Sequence, residues 1–488
     1  MSTTDVLLRT IPGERFTPYT LARKLNARVL LESASFHRGR ERYSILLLKP
    51  AFTIQERAGE FIMTRAGRRY RLRSSGRDIL DVLRYFADQH AGAAHVTPPG
   101  DAGTYVSRTS RLPVVRAHPF PFPVGGIGYL SYEYAAKFDT VRLRKKADSL
   151  DLPDAYFVFG HVFVVFDHYT DTLTLVGVNY REHRIDLEEA LDETERRIDD
   201  LDFNFMAASK ASPDATVCGS GDEEWYLDGV EFLRGEIIKG NLFQAVLSRR
   251  LEIETALPAL EAYRSLRSAN PSPYMFYLDY GDFQLFGASP EVHVKVADGR
   301  AAMRPIAGTR RRGKDHREDV ALQEDLLSDE KELAEHLMLV DLARNDLGRV
   351  AEAGSVQVTE RNVIEHYSHV MHIVSQVECD MRDGLSGADA VRATFPAGTV
   401  SGAPKIQAME TLDTLESETR GFYAGIVGYV EPGGTLDSCI SIRSAVKKGN
   451  RLILHAGAGV VYDSVPRTEF EETQNKLRAL AAAVGVQL

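Results

Sequence analysis

Two glutamate pairs stand far apart in this chain, Glu332 with Glu335 in KELAEHLMLVDLARND and Glu469 with Glu472 in RTEFEETQNKL. Both have the form E-x-x-E. In a helix, residues three apart share a face, so each pair would present two carboxylates side by side. Four converging carboxylates repel one another unless a cation joins them. An all-oxygen set without a Cys or His cage favours a hard ion, and for an enzyme acting on an anionic substrate that ion is Mg²⁺. The same spacing also describes a solvated helix face, so the pairs need support from the rest of the chain.

Other strings carry chemistry less directly. Gly457-Ala458-Gly459 follows the strand-like RLILHA but lacks the third glycine and following helix of a dinucleotide site. Its small residues would let backbone N–H groups approach a carboxylate, and would equally make a tight turn at a strand end. The segment from Gly398 to Lys405, GTVSGAPK, fails the residue order of a phosphate loop. Arg310-Arg311-Arg312-Gly313-Lys314 has no aromatic interleaving and reads as a solvated loop. His366, His369 and His372 do not make a zinc triad, because their run reads as much like strand as helix and no further ligand accompanies them.

With 488 residues, two domains or one large two-layered body are expected. Fifty-nine Lys and Arg against 69 Asp and Glu leave a net charge of −10, which gives no pull toward nucleic acid or an anionic membrane. Cys218, Cys379 and Cys439 are too few and scattered for a disulfide framework, which suits a reducing cytosol and a cytoplasmic location. The first residues lack an apolar signal core. The longest apolar run, Tyr156 to Phe166, is shorter than a membrane span and reads as a buried strand.

The elements that must position these residues change character along the chain. Strand-like runs dominate residues 25 to 180, in ARVLLES, RYSILLL and GGIGYLSYEY, and a helix is expected over 186–201. The small, polar stretch 210–224 reads as a linker between a sheet-rich domain, 1–209, and a second domain, 225–488. Beyond it, EWYLDGVEFLRGEIIKG is a helix, LFQAVLSRRLEI a strand, LPALEAYRSLRSA a helix and YMFYLDYGDFQLFGAS a hairpin. One long helix is expected from Glu318 to Leu347, and another from Thr468 to Val484 with Thr468 as N-cap and Glu471 completing a capping box.

Taken in order, GNLFQAVLSRR, GASPEVHVKV, RPIAGTRRRG, KELAEHLMLVDLARNDLG, YSHVMHIVS, FPAGTVSGAPK and AGAGVVYDSVPRTEFEETQNK resemble the chorismate-utilising enzymes, closest in pattern to the anthranilate synthase component I family. The resemblance covers nearly all of the second half and, through LLES and GGIGYLSYE, part of the first. It implies an α+β fold of two intertwined mixed α/β subdomains, with large antiparallel sheets and helices outside. It implies conversion of chorismate and ammonia to anthranilate and pyruvate with Mg²⁺, through aminodeoxyisochorismate. By the same resemblance Glu335 and Glu472 are the principal metal-side carboxylates, with Glu332 and Glu469 beside them. Arg443, Tyr423 and the N–H groups of Gly457, Ala458 and Gly459 receive substrate carboxylates; Gly308, Thr309 and Lys476 are further substrate contacts; Thr399 lines the pocket. His372 serves pyruvate elimination and Glu291 orients ammonia.

Ala307 sorts the branches of the resemblance. Members that add water or form a covalent adduct carry Lys there, which can activate water or attack the ring, and Ala can do neither. This favours anthranilate over an aminodeoxychorismate or isochorismate product. LLES and NPSPYMF resemble two halves of a tryptophan feedback site, with Ser33, Pro273, Tyr274 and Met275 as contacts. Neither half of the chain carries a glutaminase signature, so a separate glutamine amidotransferase subunit is the expected partner. A catalytically silent tryptophan-binding subunit is the reading from another class, which the intact glutamates, His372, Arg443 and the glycine segment oppose.

Overall fold

A computed structural model describes residues 5–33, 42–73, 78–90, 120–204, 214–219, 221–367 and 370–488, which leaves His369 outside it. The run Tyr156–Phe166 lies in a strand, Ala155–Asp167, that is buried nearly end to end. Its neighbours are Tyr43–Arg57 on one side and Thr172–Val178 on the other, both antiparallel. A strand apolar on both faces needs both faces covered, and one hydrogen-bonded network of 22 described strands with helices packed against it provides that.

The network crosses the middle of the chain. Val29–Glu32 pairs with Tyr274–Asp279, and Ile127–Leu130 with Ile426–Val430. The core follows: one apolar cluster runs from Val29 to Ile453 and a second from Tyr19 to Val486. Within the stretch read as a linker, Ala215–Gly219 is a strand added to the edge of Gln244–Thr255. The sequence halves are thus threaded through shared sheet and shared core. No described helix is long and apolar enough to cross a membrane.

Two helix expectations change. The pattern from 318 to 347 is two helices, His316–Ser328 and Glu330–Gly348. Asp329 separates them: its backbone is extended and its carboxylate accepts from the N–H groups of Lys331 and Glu332 at 3.1 and 3.2 Å, capping the second helix. The C-terminal helix begins earlier than expected, at Pro466, with Val465 as its N-cap and no side-chain cap. Proline at the first helical position supplies the start signal, so Thr468 caps nothing and Glu471 pairs with Arg467 at 3.2 Å. The other expected helices and strands fall largely where the apolar spacing puts them. Glu223–Ile238, for example, is capped by Asp222 and buries Tyr226, Val230 and Leu233. The exception is GGIGYLSYEY, which is strand only over Ile127–Leu130 and turns into a 3-10 helix at Tyr132–Tyr134.

Candidate functional site

The glycine segment forms a strand edge, and the turn alternative is not what forms. Arg451–Val460 pairs with Gln244–Thr255 along its length but with Ser444–Lys448 only as far as Leu454. Beyond Leu454 its outer edge is open, because the chain ahead of Ser444 departs at Arg443, a non-glycine residue with φ of 50°. Ser248 gives its N–H to Glu416 and Val246 its carbonyl to Arg420, both away from the glycine strand. Opposed residues of an antiparallel ladder turn their backbone groups alike. Gly457 and Gly459, opposite Ser248 and Val246, therefore aim theirs outward, while Ala458 is committed to Leu247. Two outward N–H groups remain of the three expected.

Glycine is required at 457 by close approach. A Cβ there would lie 2.9 Å from both the Leu247 carbonyl and the Tyr423 hydroxyl. Lys476 grips the outward Gly457 carbonyl at 2.7 Å. Arg443 is half-buried, and burial lowers its pKa against the opposing pull of Tyr423 and Glu472. No described side chain hydrogen-bonds its guanidinium. Two N–H groups, a phenol and an unpaired guanidinium fork thus line one edge, a geometry suited to carboxylates.

A buried hub fixes this edge. Arg420 bonds Glu416 in a bidentate pair and donates to the carbonyls of Val400 and Val246, tying the Gly398–Ser401 turn to the central strand. The first half of the chain clamps the hub. The Glu133 carboxylate accepts from the N–H groups of Arg420 and Gly421 at 2.7 and 3.0 Å, and the Tyr132 ring lies 4.6 Å from the Arg420 guanidinium. Sequence reading placed GYLSYEY as a strand but gave Tyr132 and Glu133 no positioning role.

Elsewhere in the sheet, Ile306–Arg311 pairs with Val370–Asp380 through a bulge at Gly308, whose φ is 63°. The bulge turns the Gly308 carbonyl onto His372 Nδ1 at 2.8 Å, with the Thr309 hydroxyl at 3.2 Å from the same nitrogen. An Nδ1–H donated to a carbonyl leaves Nε2 unprotonated and able to accept a proton. Burial lowers the His372 pKa, opposed by the Gly308 hydrogen bond and helped by Arg443, and favours that neutral form. Ala307 sits opposite Ile373 in the same ladder. Glu291 is buried, and its carboxyl is pushed up to about 8, lowered only in part by the Thr399 hydroxyl and the Lys476 ammonium.

The four glutamates come to one region with their charges partly answered by the chain's own cations. Arg310 binds Glu332 at 3.2 Å, and also Asp325 and Asp329 at 2.7 Å each. Arg311 pairs with Glu318 and Arg312 with Asp319, so the basic run is an ion-paired strand end rather than the solvated loop expected. Lys476 holds Glu472 at 2.5 Å. Glu335 and Glu469 lack such direct partners. Burial, then repulsion from Glu332, Asp463 and Glu469, pushes Glu335 up to about 7, against the opposing charge of Lys331. Glu469 is likewise raised, by burial and by Glu472, against a hydrogen bond from Ser464 and the pull of Lys331 and Lys476. Among the described residues no three His, Cys, Asp or Glu stand close enough to ligate one ion. The donor set suits a hard divalent cation in kind: carboxylates in mutual repulsion, half-buried and short of positive charge. Lys331, Asp463 and Arg310 were not singled out from sequence as site residues. The signal for the first lay in the DEKE string itself, whose lysine precedes the first glutamate pair.

Ser33, Pro273, Tyr274 and Met275 meet elsewhere, lining a cavity of about 220 Å³. The pairing of Met275 with Glu32 brings the two strings together. Glu32 is buried; one carboxylate oxygen accepts from Tyr263 and Arg267 at 2.6 and 2.8 Å, and the other, like the Ser33 hydroxyl, has no partner among the described residues. Lys295, Tyr43 and Phe276 complete a lining with acceptors, a cation and aromatic rings. A larger cavity, about 340 Å³ beside Trp225, contains none of the residues singled out from sequence, and its Arg250 and Arg420 are paired with Glu418 and Glu416.

An open strand edge suited to carboxylates, an imidazole that feels the charge of Arg443 and a cluster of carboxylates that includes Glu472, which also acts on Arg443, are the features the fold brings together. Residues 50–482 match the chorismate binding enzyme family, and the chain belongs to that family, in its anthranilate synthase component I group. It is 53% identical to anthranilate synthase component 1 of Spirochaeta aurantia over 487 residues, which covers 99% of this chain and 96% of the relative. With that of Aquifex aeolicus it shares 44% over 368 residues, 74% of each. The crystal structure of anthranilate synthase component I from Streptococcus pneumoniae TIGR4 superposes with a TM-score of 0.76 at 35% identity, covering 90% of this chain and 92% of that one. The α+β, largely antiparallel architecture expected from sequence is the fold observed.

Proposed function

We propose that the chain forms anthranilate from chorismate and ammonia, releasing pyruvate and water. The observation that carries this reading is Ala307, beside the Gly308 bulge that holds His372, where the side chain brings no amine able to attack the ring or activate water. The glycine edge, Tyr423 and Arg443 hold the substrate carboxylates. Glu332, Glu335, Glu469 and Glu472 would hold Mg²⁺, which when bound supplies charge for a substrate carboxylate and for departure of the C4 hydroxyl. Ammonia adds at C2 as that hydroxyl leaves. Glu291 and Thr399 border a cavity of about 20 Å³, room for one molecule the size of ammonia, and a carboxyl titrating near neutrality there can orient it and take its proton. His372, through Nε2, then accepts the C2 proton as the enolpyruvyl side chain leaves and is protonated to pyruvate.

The ammonia is supplied by a glutamine amidotransferase subunit, with free ammonium as substitute. The second cavity takes L-tryptophan as a feedback inhibitor: the free oxygens of Glu32 and Ser33 suit its ammonium group, and the aromatic lining its ring. Incubation with chorismate, Mg²⁺ and ammonium should give anthranilate fluorescence, reduced by L-tryptophan. Formation of isochorismate or aminodeoxychorismate instead would overturn the reading.

A further inference from the structure

The acidic cluster contains one cation that neither grips a single glutamate nor belongs to the substrate edge. Lys331 lies in the first turn of Glu330–Gly348, and its Nζ reaches Asp463 Oδ2 at 3.1 Å on the segment leading into the C-terminal helix. It stands between the two pairs: Lys331 and Glu335 are four apart on one helix, and its partner Asp463 lies just ahead of the helix that carries Glu469. The other two glutamates are occupied by Arg310 and Lys476. Asp463 itself repels Glu335, so it belongs to the same field. We infer that Lys331 is the resident counter-cation of this cluster, held at its rim by Asp463, and that this pair sets how tightly a divalent cation binds.

The reasoning rests on the metal reading proposed above and adds a competition to it. An ammonium among the carboxylates relieves their repulsion while the ion is away and opposes the ion's arrival. Asp463 limits that opposition, because it gives the ammonium a partner that is not one of the four glutamates. Released from Asp463, Lys331 would settle on Glu335 or Glu469 and compete directly.

Titration calorimetry of the metal-free full chain with MgCl₂ reads this without turnover. Lys331→Gln should tighten magnesium binding on the order of tenfold, since one unit charge leaves the field of a divalent ion. Asp463→Asn should weaken it, and the double variant should match Lys331→Gln, because Asp463 acts only through Lys331. A double variant that stays weak would make Asp463 a ligand, and one that returns to the wild-type value would reduce both effects to general field; either overturns the inference. Equal binding by wild type and Lys331→Gln overturns it alone. No magnesium heat from either protein removes the metal reading together with it.

Discussion

The two sides of the site solve opposite electrostatic problems by different means. On the glycine edge, backbone geometry presents N–H groups and an arginine to which no described side chain hydrogen-bonds, its charge opposed only at longer range by Tyr423 and Glu472. Around the glutamates, side chains on helices and loops present negative charge, and Arg310, Lys476 and Lys331 already answer much of it. A strand edge braced by a buried hub cannot rearrange cheaply. Ion pairs on half-exposed side chains can, since each is worth little on its own. The glycine edge is therefore pre-organised and the glutamate side adaptive, which under the proposed function suits a substrate held still and an ion that displaces resident partners.

The contrast can be broken most completely at Ala307. Ala307→Lys adds an ammonium beside the bulge that holds His372, and anthranilate formation should fall to background while the circular dichroism spectrum is retained; unchanged ammonia-dependent turnover would remove Ala307 from the product-determining role. Arg443→Ala tests the rigid side. Loss of a charge-assisted fork costs about 3 kcal/mol, so the KM for chorismate should rise roughly a hundredfold, and Arg443→Lys should restore little of it. Steady-state kinetics at saturating Mg²⁺ decides.

The smallest effect separates the sides by pH. Glu291 and Glu335 are raised from an ordinary 4.5 to about 8 and about 7, so between 4.5 and those values the folded chain holds protons that the unfolded chain has released. Metal-free stability should therefore fall as pH rises through that window, by at most about 1.4 kcal/mol per pH unit for each group. Glu291→Gln should flatten the part reaching to about 8, and saturating Mg²⁺ the part reaching to about 7. Denaturant melts across pH with and without Mg²⁺ measure both.

Much of this was legible from residues in line. Apolar spacing placed the buried strand at Tyr156–Phe166 and the helix at Glu223–Ile238, because each reports which face of a short segment meets the core. Pro466 outranked Thr468 as a start signal, and Asp329 broke a pattern whose apolar period runs on, because a cap acts through a single side chain that periodicity does not register. The glutamate pairs announced repulsion and so a cation. Their partners could not be read. Arg310 reaches Glu332 only because a strand end is folded against a helix start, and Asp463 reaches Lys331 across more than a hundred residues of chain.

The sequence by itself determined the inventory: carboxylates at helical spacing, small residues in a strand, an alanine just ahead of Gly308. Tertiary structure decided the assignment of roles. It turned Gly457 and Gly459 outward and Ala458 inward through ladder parity, left Arg443 without a hydrogen-bonded side-chain partner among the described residues by diverging two strands, and set Lys331 beside the glutamates. Residue type and spacing are local properties of the chain, whereas charge compensation and backbone direction depend on which distant segments the sheet brings together.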